Sequence, residues 1–325
     1  MRAIAQERYG EPAKVLRLGE IDRPEPGEGQ VLVRVHAAGL HRGDCFVVRG
    51  KPFLMRMATG WLRPKVATPG FDIAGVVEAV GPGVMEFSLG NEVFGSTEGA
   101  SGACAEFALA KASSLVQKPG NISFEEAAAV PTSALAALHG LRVGNLQAGQ
   151  SVLINGASGG VGSFAVQIAK ALGADVTGVC STKNLQTVRT LGADRAIDYT
   201  SEDFADGSAR YDLILDNVEN RSLGDLRRAL KSRGTVILNS GSGASGLNLI
   251  WRLFKPMLVG PFVGQSLKRY LSVPKPEDLE TLRRMLEGGQ ITPVIARGFA
   301  LEDTAEAFGQ LCAGHVAGKL VIRIG

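Results

Sequence analysis

The chain has 325 residues, a net charge of +3, 45% hydrophobic residues and 42 glycines. Such a length allows one large or two medium domains, and such a composition fits a soluble globular protein with many tight turns and excludes a disordered chain. The basic residues are scattered with no long run of like charge, so nucleic acid is not expected as a partner.

The opening segment MRAIAQERYGEPAKVL lacks the apolar core of a signal peptide. Residues 1–120 look β-rich. QVLVRVHAAG (30–39) partly alternates, IAGVVEAV (73–80) is a β-branched run between glycines, and GACAEFALA (102–110) is a further expected strand. Between the first two, the stretch 51–70 has prolines at 52, 64 and 69 and no clean period, which predicts a long ordered loop. Ser123 and Glu126 form a capping-box pattern that opens an alanine-rich helix, which Pro131 should kink or interrupt. The apolar stretch 127–141 is shorter than a bilayer span, so no membrane partner is expected. From 151 onward strands and helices alternate. Strands are expected at 151–155, 175–180, 195–198, 211–215, 234–239 and 258–263, and helices at 160–172, 184–191 and 222–231, with a short turn near 201–206. Short apolar strands joined by helices imply an α/β fold with a parallel, doubly wound sheet. Two amphipathic helices, 275–289 and 301–314, and a closing strand, 318–324, complete the chain. Cys45, Cys104, Cys180 and Cys312 are widely separated with no C-x-x-C pair. They suit a reducing compartment and neither a disulfide scaffold nor a zinc knuckle, so a cytoplasmic location is expected.

The chemistry concentrates at NGASGGVGSF (155–164). Gly156, Gly159 and Gly162, with the extra Gly160, follow a strand and open a helix. Glycine permits a tight turn and close approach of the backbone to a pyrophosphate, and the helix that follows aims its free N–H groups at that phosphate. Ser158 and Val161 belong to the same turn as candidate cofactor contacts. The next strand ends in VTGVCSTKN (176–184), where an acid is expected to hold a ribose hydroxyl. No acid stands there. Ser181 and Lys183 offer a hydroxyl and a cation suited to a 2′-phosphate, and Tyr199 ends the neighbouring strand. A charge-assisted hydrogen bond contributes about 1.5–3 kcal/mol, enough to prefer NADPH over NADH. The alternative is that Ser181 or Asn184 merely caps the next helix.

AAGLHRGD (37–44), PGFDIAGVVEAVGPGV (69–84), the glycine turn, LGADRAIDY (191–199), YDLILDNV (211–218) and GKLVIRI (318–324) occur in one order over nearly the whole chain. In this set the chain resembles the medium-chain dehydrogenase/reductase superfamily, in particular its zinc-independent, quinone-oxidoreductase-like branch. The resemblance implies a GroES-like β-rich catalytic domain built from both chain ends, 1–122 and 263–325, with a Rossmann NADP-binding domain, 123–262, inserted between them and an active cleft where they meet. It also implies a homodimer. Zinc enzymes of the superfamily carry a Cys within the segment matching 37–44 and Gly-His-Glu where this chain has Gly70-Phe71-Asp72. Phenylalanine cannot ligate zinc, so no metal is expected. Reduction of a quinone or an α,β-unsaturated carbonyl by NADPH is the activity implied. A zinc-free alcohol or aldehyde oxidoreductase and a non-catalytic NADPH-binding protein are the alternatives.

His41 stands where the branch often has asparagine, which makes it the candidate catalytic group, able to polarise a carbonyl or deliver a proton. Asp44 would orient it. By the same resemblance, Asn217 and Val218 border the adenosine, Ser240 and Gly241 approach the nicotinamide ribose, and VGPFVG (259–264), with Phe262, holds the carboxamide. Two departures stand out. Glu219 replaces a common glycine after Val218, and Ala136 stands where many members have threonine.

Overall fold

The computed structural model describes residues 1–53, 56–97, 102–239 and 264–324. Fifteen strands form among them. In chain order they are β1 (Arg2–Gln6), β2 (Leu16–Glu20), β3 (Gln30–Leu40), β4 (Asp72–Val80), β5 (Glu92–Ser96), β6 (Phe107–Lys111), β7 (Leu115–Gln117), β8 (Ser151–Asn155), β9 (Asp175–Cys180), β10 (Arg195–Asp198), β11 (Tyr211–Asp216), β12 (Leu230–Leu238), β13 (Ser266–Arg269), β14 (Ile295–Ala300) and β15 (Lys319–Arg323). Contacts divide the chain into two compact units. The first is Met1–Leu135 with Pro274–Gly325, and the second is Ala136–Val273. The changes of character noted in the sequence at 123 and 262 lie somewhat before these divisions.

In the first unit a sheet runs in the order β14-β15-β3-β4-β5-β7, with β6 also paired to β3, and β1 and β2 form a separate ribbon. β3 is central and carries Val31, Val33 and Val35 into a core shared with Ile4, Ile73, Val93, Phe308, Leu320 and Ile322. Each such side chain contributes about 1.5–3 kcal/mol by leaving water. Register decides what meets at one end of this sheet. Gly39 pairs with Asp72, Leu40 pairs with Leu320, and Asp72 pairs with Ser96. The end of β3 and the starts of β4 and β15 therefore coincide.

The second unit holds a six-stranded sheet ordered β10-β9-β8-β11-β12-β13, parallel throughout. Counted from β8 the order is 3-2-1-4-5-6, that of a dinucleotide-binding sheet. β8 reads Ser-Val-Leu-Ile-Asn and is buried beyond its first residue, as expected of a strand covered on both faces. The α/β class expected from sequence is therefore the one observed.

Several local expectations need correction. Only Phe107–Lys111 of 102–110 is a strand, because the N–H groups of Ala103 and Cys104 bond to Gly70 and Pro69 carbonyls instead of a ladder. The loop 51–70 contains a short helix, Arg56–Thr59. Ser123 and Glu126 do form the capping box, yet the chain makes two helices, Phe124–Ala128 and Pro131–Val143, with Pro131 opening the second. The helix expected over 222–231 ends at Arg228, and β12 already begins at Leu230. The strand expected at 258–263 lies outside the described residues, and the sixth position in the sheet is taken by Ser266–Arg269. That strand lies at the sheet edge and is partly exposed, so it carries little apolar signal. The cysteine reading fails for one pair. Cys45 and Cys312, 267 residues apart, form a disulfide with a Cα–Cα distance of 5.7 Å, while Cys104 and Cys180 are free and buried. Chain distance concealed this pair, which the two ends of the first unit bring together.

Candidate functional site

In the second unit the ligand edge of a parallel sheet is the carboxyl edge, at the point where strand order reverses. Here that point lies between β8 and β11. The glycine turn leaves β8 there. Gly156 has φ +78°, a left-handed conformation, and a Cβ on it would meet Val218 Cγ2 at 2.8 Å. A Cβ on Gly162 would fall 2.1 Å from the Gly156 carbonyl oxygen, which no backbone tolerates. The turn is therefore folded tightly against its own helix, Gly160–Ala171. Gly159 is the N-cap residue and supplies no side-chain cap, so the first-turn N–H groups of Gly160 and Val161 keep no side-chain acceptor among the described residues. This cradle fits a pyrophosphate.

The turn is wired to both neighbouring strand ends. Asn184 Nδ2 donates to Ser158 Oγ (3.0 Å) and to Ser181 Oγ (3.2 Å). Neither Ser181 nor Asn184 makes a side-chain cap on the helical turns that follow, which removes the simple capping account of this segment. Lys183 is exposed and makes no ion pair among the described residues. Tyr199 is 43% exposed, beyond the end of β10. On the other side, Asn155 Nδ2 donates to Asp216 Oδ1 (2.8 Å), Asn217 Nδ2 to the Asn155 carbonyl (3.2 Å), and Asn239 Nδ2 to Asn217 Oδ1 (2.8 Å). Asp216 Oδ1 also receives the N–H groups of Val218 and Glu219 at 3.1 and 2.8 Å. This amide–carboxylate lattice holds Asn217 and Val218 beside the turn. Sequence reading missed Asn155, Asp216 and Asn239, because Asn and Asp at strand ends resemble ordinary turn residues, and it weighed Asn184 only as a helix cap.

Glu219 has φ +55°, which explains a glycine in relatives at this position. Here the strain is held by a bidentate pair with Arg269 at the end of β13, at 2.8 and 2.5 Å. Next to it the Tyr270 hydroxyl donates to the Ala136 carbonyl, and burial pushes that phenol up. Ser240, Gly241 and Phe262 lie outside the described residues.

In the first unit a polar cluster lies where β3, β4 and β15 end or begin. His41 directly follows β3 and is the N-cap residue of the helix Arg42–Arg49. Its N–H donates to Asp44 Oδ2 at 2.7 Å, so Asp44 does orient the turn. The imidazole lies 4.9 Å from the Phe71 ring, tilted by 58°. Phe71 offers no ligand atom, and among the described residues no group of three His, Cys, Asp or Glu is placed to hold a metal. Asp72 accepts from Thr132 Oγ1 (2.6 Å) and from the Thr132 N–H (3.2 Å), at the positive end of the helix Pro131–Val143. Lys319 Nζ lies 3.8 Å from Asp72 Oδ2 and donates to Ser133 Oγ at 2.9 Å.

Burial governs the charge states of this cluster. It raises Asp72 against the opposing pull of Lys319 and Thr132, and it lowers Lys319 against that of Asp72 and Asp44. It lowers His41 to about 3, with help from the Lys319 charge. It raises Asp44 well above the usual carboxylate range, partly opposed by the His41 N–H. Two other histidines are held elsewhere: His36 stacks on Phe124 at 4.4 Å, and His139 Nδ1 meets Ser272 Oγ at 2.8 Å.

Residues 27–140 match the family model of the alcohol dehydrogenase GroES-like domain, and residues 191–322 that of the zinc-binding dehydrogenases. A 2-methylene-furan-3-one reductase from Solanum lycopersicum is 34% identical over 99% of this chain and 79% of its own length. An NADPH-dependent alkenal/one oxidoreductase from Arabidopsis thaliana is likewise 34% identical over 99% of this chain and 79% of its own length. The structure of a quinone oxidoreductase from Coxiella burnetii superposes with a TM-score of 0.86 at 29% identity, covering 100% of this chain and 99% of that one. With Phe71 at the metal-ligand position and a dinucleotide cradle at the sheet's reversal point, the chain belongs to the medium-chain dehydrogenase/reductase superfamily, in its zinc-independent, quinone-oxidoreductase-like branch.

Proposed function

We propose that the protein is an NADPH-dependent reductase of quinones or α,β-unsaturated carbonyls. The observation that carries this reading is the glycine turn at the point where strand order reverses, folded so tightly that a Cβ at Gly162 would run into the Gly156 carbonyl oxygen. The cofactor, when bound, supplies the hydride. Gly156, Ser158, Gly159, Gly160 and Val161 hold its pyrophosphate, and Asn217 and Val218 border its adenosine. Ser181 Oγ and Lys183 Nζ receive the 2′-phosphate, with Tyr199 alongside. Lys183, without an ion pair among the described residues, and the lack of an acid at the end of β9 support NADPH over NADH. The names of the tomato, Arabidopsis and Coxiella proteins support the acceptor class. An activated C=C or a quinone accepts hydride with less Lewis-acid help than an alcohol/ketone pair demands, in keeping with Phe71 where a zinc ligand would stand. His41 is the group that handles the proton completing the reduction.

No described helix is long and apolar enough to cross a membrane. We infer that the protein works as a homodimer on a small-molecule substrate.

The test is NADPH consumption, with NADH in parallel, against quinones, enones, aldehydes and alcohol/NADP⁺ pairs under EDTA. Turnover of a quinone or enone with NADPH is the expected result. Turnover confined to alcohols or aldehydes would replace this reading with the zinc-free alcohol or aldehyde oxidoreductase. Tight NADPH binding without turnover of any acceptor would replace it with a binding role.

A further inference from the structure

We infer that Arg269 is a positioning residue for the dinucleotide: through its ion pair with Glu219 it holds the turn after β11 against the glycine turn, and so sets the shape of the pyrophosphate cradle. This role rests on the nucleotide site proposed above.

The turn after β11 carries two costs at one residue. Glu219 adopts φ +55°, where a side chain crowds its own backbone. Its carboxylate is also buried, and a buried charge deprived of its partner is strongly destabilising. Arg269 answers both. Its Nη1 and Nη2 donate to Glu219 Oε1 and Oε2 at 2.8 and 2.5 Å, a forked pair that sets direction as well as distance. A backbone conformation of this kind persists while its surroundings hold it.

The held turn leads directly to the glycines. The N–H groups of Val218 and Glu219 both donate to Asp216 Oδ1, at 3.1 and 2.8 Å. Tied in this way, Val218 lies on Gly156, where an added Cβ would meet Val218 Cγ2 at 2.8 Å. Asn217 Nδ2 donates to the carbonyl of Asn155, the residue just before Gly156, at 3.2 Å. A shift at Glu219 therefore reaches the first glycine of the cradle through one side chain, that of Val218.

Arg269 is a stiff post for this purpose. Asn155, Asp216, Leu238 and Arg269 pair in turn across β8, β11, β12 and β13, so Arg269 stands at the same level of the carboxyl edge as Asp216. Its neighbours tie the chain to the helix Pro131–Val143. Lys268 Nζ donates to the Val143 carbonyl at 3.2 Å, the Tyr270 hydroxyl donates to the Ala136 carbonyl, and Ser272 Oγ lies 2.8 Å from His139 Nδ1. Gly140 makes room for the phenol, since a Cβ there would meet its oxygen at 3.0 Å. Glu219 and Ala136, the two departures noted in the sequence, are thus engaged by consecutive residues, Arg269 and Tyr270.

The experiment titrates NADPH and NADH by fluorescence against wild type, Arg269→Ala and the double variant Arg269→Ala/Glu219→Gly. Arg269→Ala is expected to weaken both cofactors alike, by about tenfold, because both carry the pyrophosphate. The double variant is expected to regain all but about twofold of that loss, because glycine takes the left-handed φ without strain and leaves no carboxylate to pair. A loss of global stability alone leaves Kd unmoved while the protein stays folded, so the titration reads the turn itself. Unchanged binding in Arg269→Ala would overturn the inference. A loss confined to NADPH would overturn it too, by making Arg269 a ligand of the 2′-phosphate, and so would a double variant that binds no more tightly than Arg269→Ala. If Arg269→Ala does not fold, Arg269→Lys, which keeps the charge but not the fork, and Arg269→Lys/Glu219→Gly make the same comparison. A wild type that binds neither cofactor would sink the nucleotide site and this role with it. A wild type that binds NADPH but turns over no acceptor would sink the reductase reading alone, and the titrations would still decide the role of Arg269.

Discussion

Replacing His41 by asparagine should give the protein a different dependence of stability on pH. Burial lowers the imidazole from its ordinary 6.5 to about 3. The unfolded chain therefore binds the proton more readily than the folded one. The stability that a neutral His41 permits is fully present above the unfolded value and is lost as pH falls toward the folded one. Between about pH 8 and about pH 5 the loss is RT ln(1 + 10^1.5), or about 2 kcal/mol. Asp44, 3.6 Å from the ring, shifts the opposite way, so the same comparison is also made in an Asp44→Asn background, where only the imidazole titrates. Urea unfolding of wild type and His41→Asn, followed at both pH values, reads the quantity directly. The stability of wild type relative to the variant should drop by about 2 kcal/mol on going from the higher to the lower pH. A difference independent of pH would refute the claim that the imidazole is buried and neutral.

Substitutions at three further positions probe the nucleotide edge. Lys183→Ala should weaken NADPH binding about tenfold or more and leave NADH nearly unchanged, less so at high salt; equal loss for both cofactors in a fluorescence titration would remove the phosphate assignment. Gly162→Ala forces a Cβ to within 2.1 Å of the Gly156 oxygen, so the turn must open. The same titration should then show a loss of at least about tenfold for both cofactors, corresponding to overpacking of about 1–3 kcal/mol. Glu219→Ala removes one member of the buried pair with Arg269 and should cost about 3 kcal/mol in denaturant unfolding, whereas Glu219→Gly should cost about 1 kcal/mol less, because the left-handed φ of +55° no longer carries a Cβ.

The features that sequence reading found are those whose physics is local. β8, β9 and β11 are short, largely apolar and almost wholly buried runs, and the glycine turn is a pattern of adjacent residues, so both were legible. β13 was not, because an edge strand reading Ser-Leu-Lys-Arg needs little apolar character. His41 and Asp44 were visible as neighbours, but their isolation from other partners depends on Phe71, Asp72 and Lys319, which only strand register brings to the same place. Glu219 looked like a loss of a family glycine. The ion pair that compensates it lies on β13, a strand for which the sequence carried no expectation.

The bridge between Cys45 and Cys312 has a topological consequence. The whole of the second unit, Ala136–Val273, lies between the two bridged positions along the chain. Oxidised, the polypeptide is therefore a covalent ring with two tails, and the nucleotide-binding sheet is one arc of it. A single peptide-bond cleavage anywhere on that arc opens the ring without releasing a fragment. The two halves part only when the sulfurs are reduced.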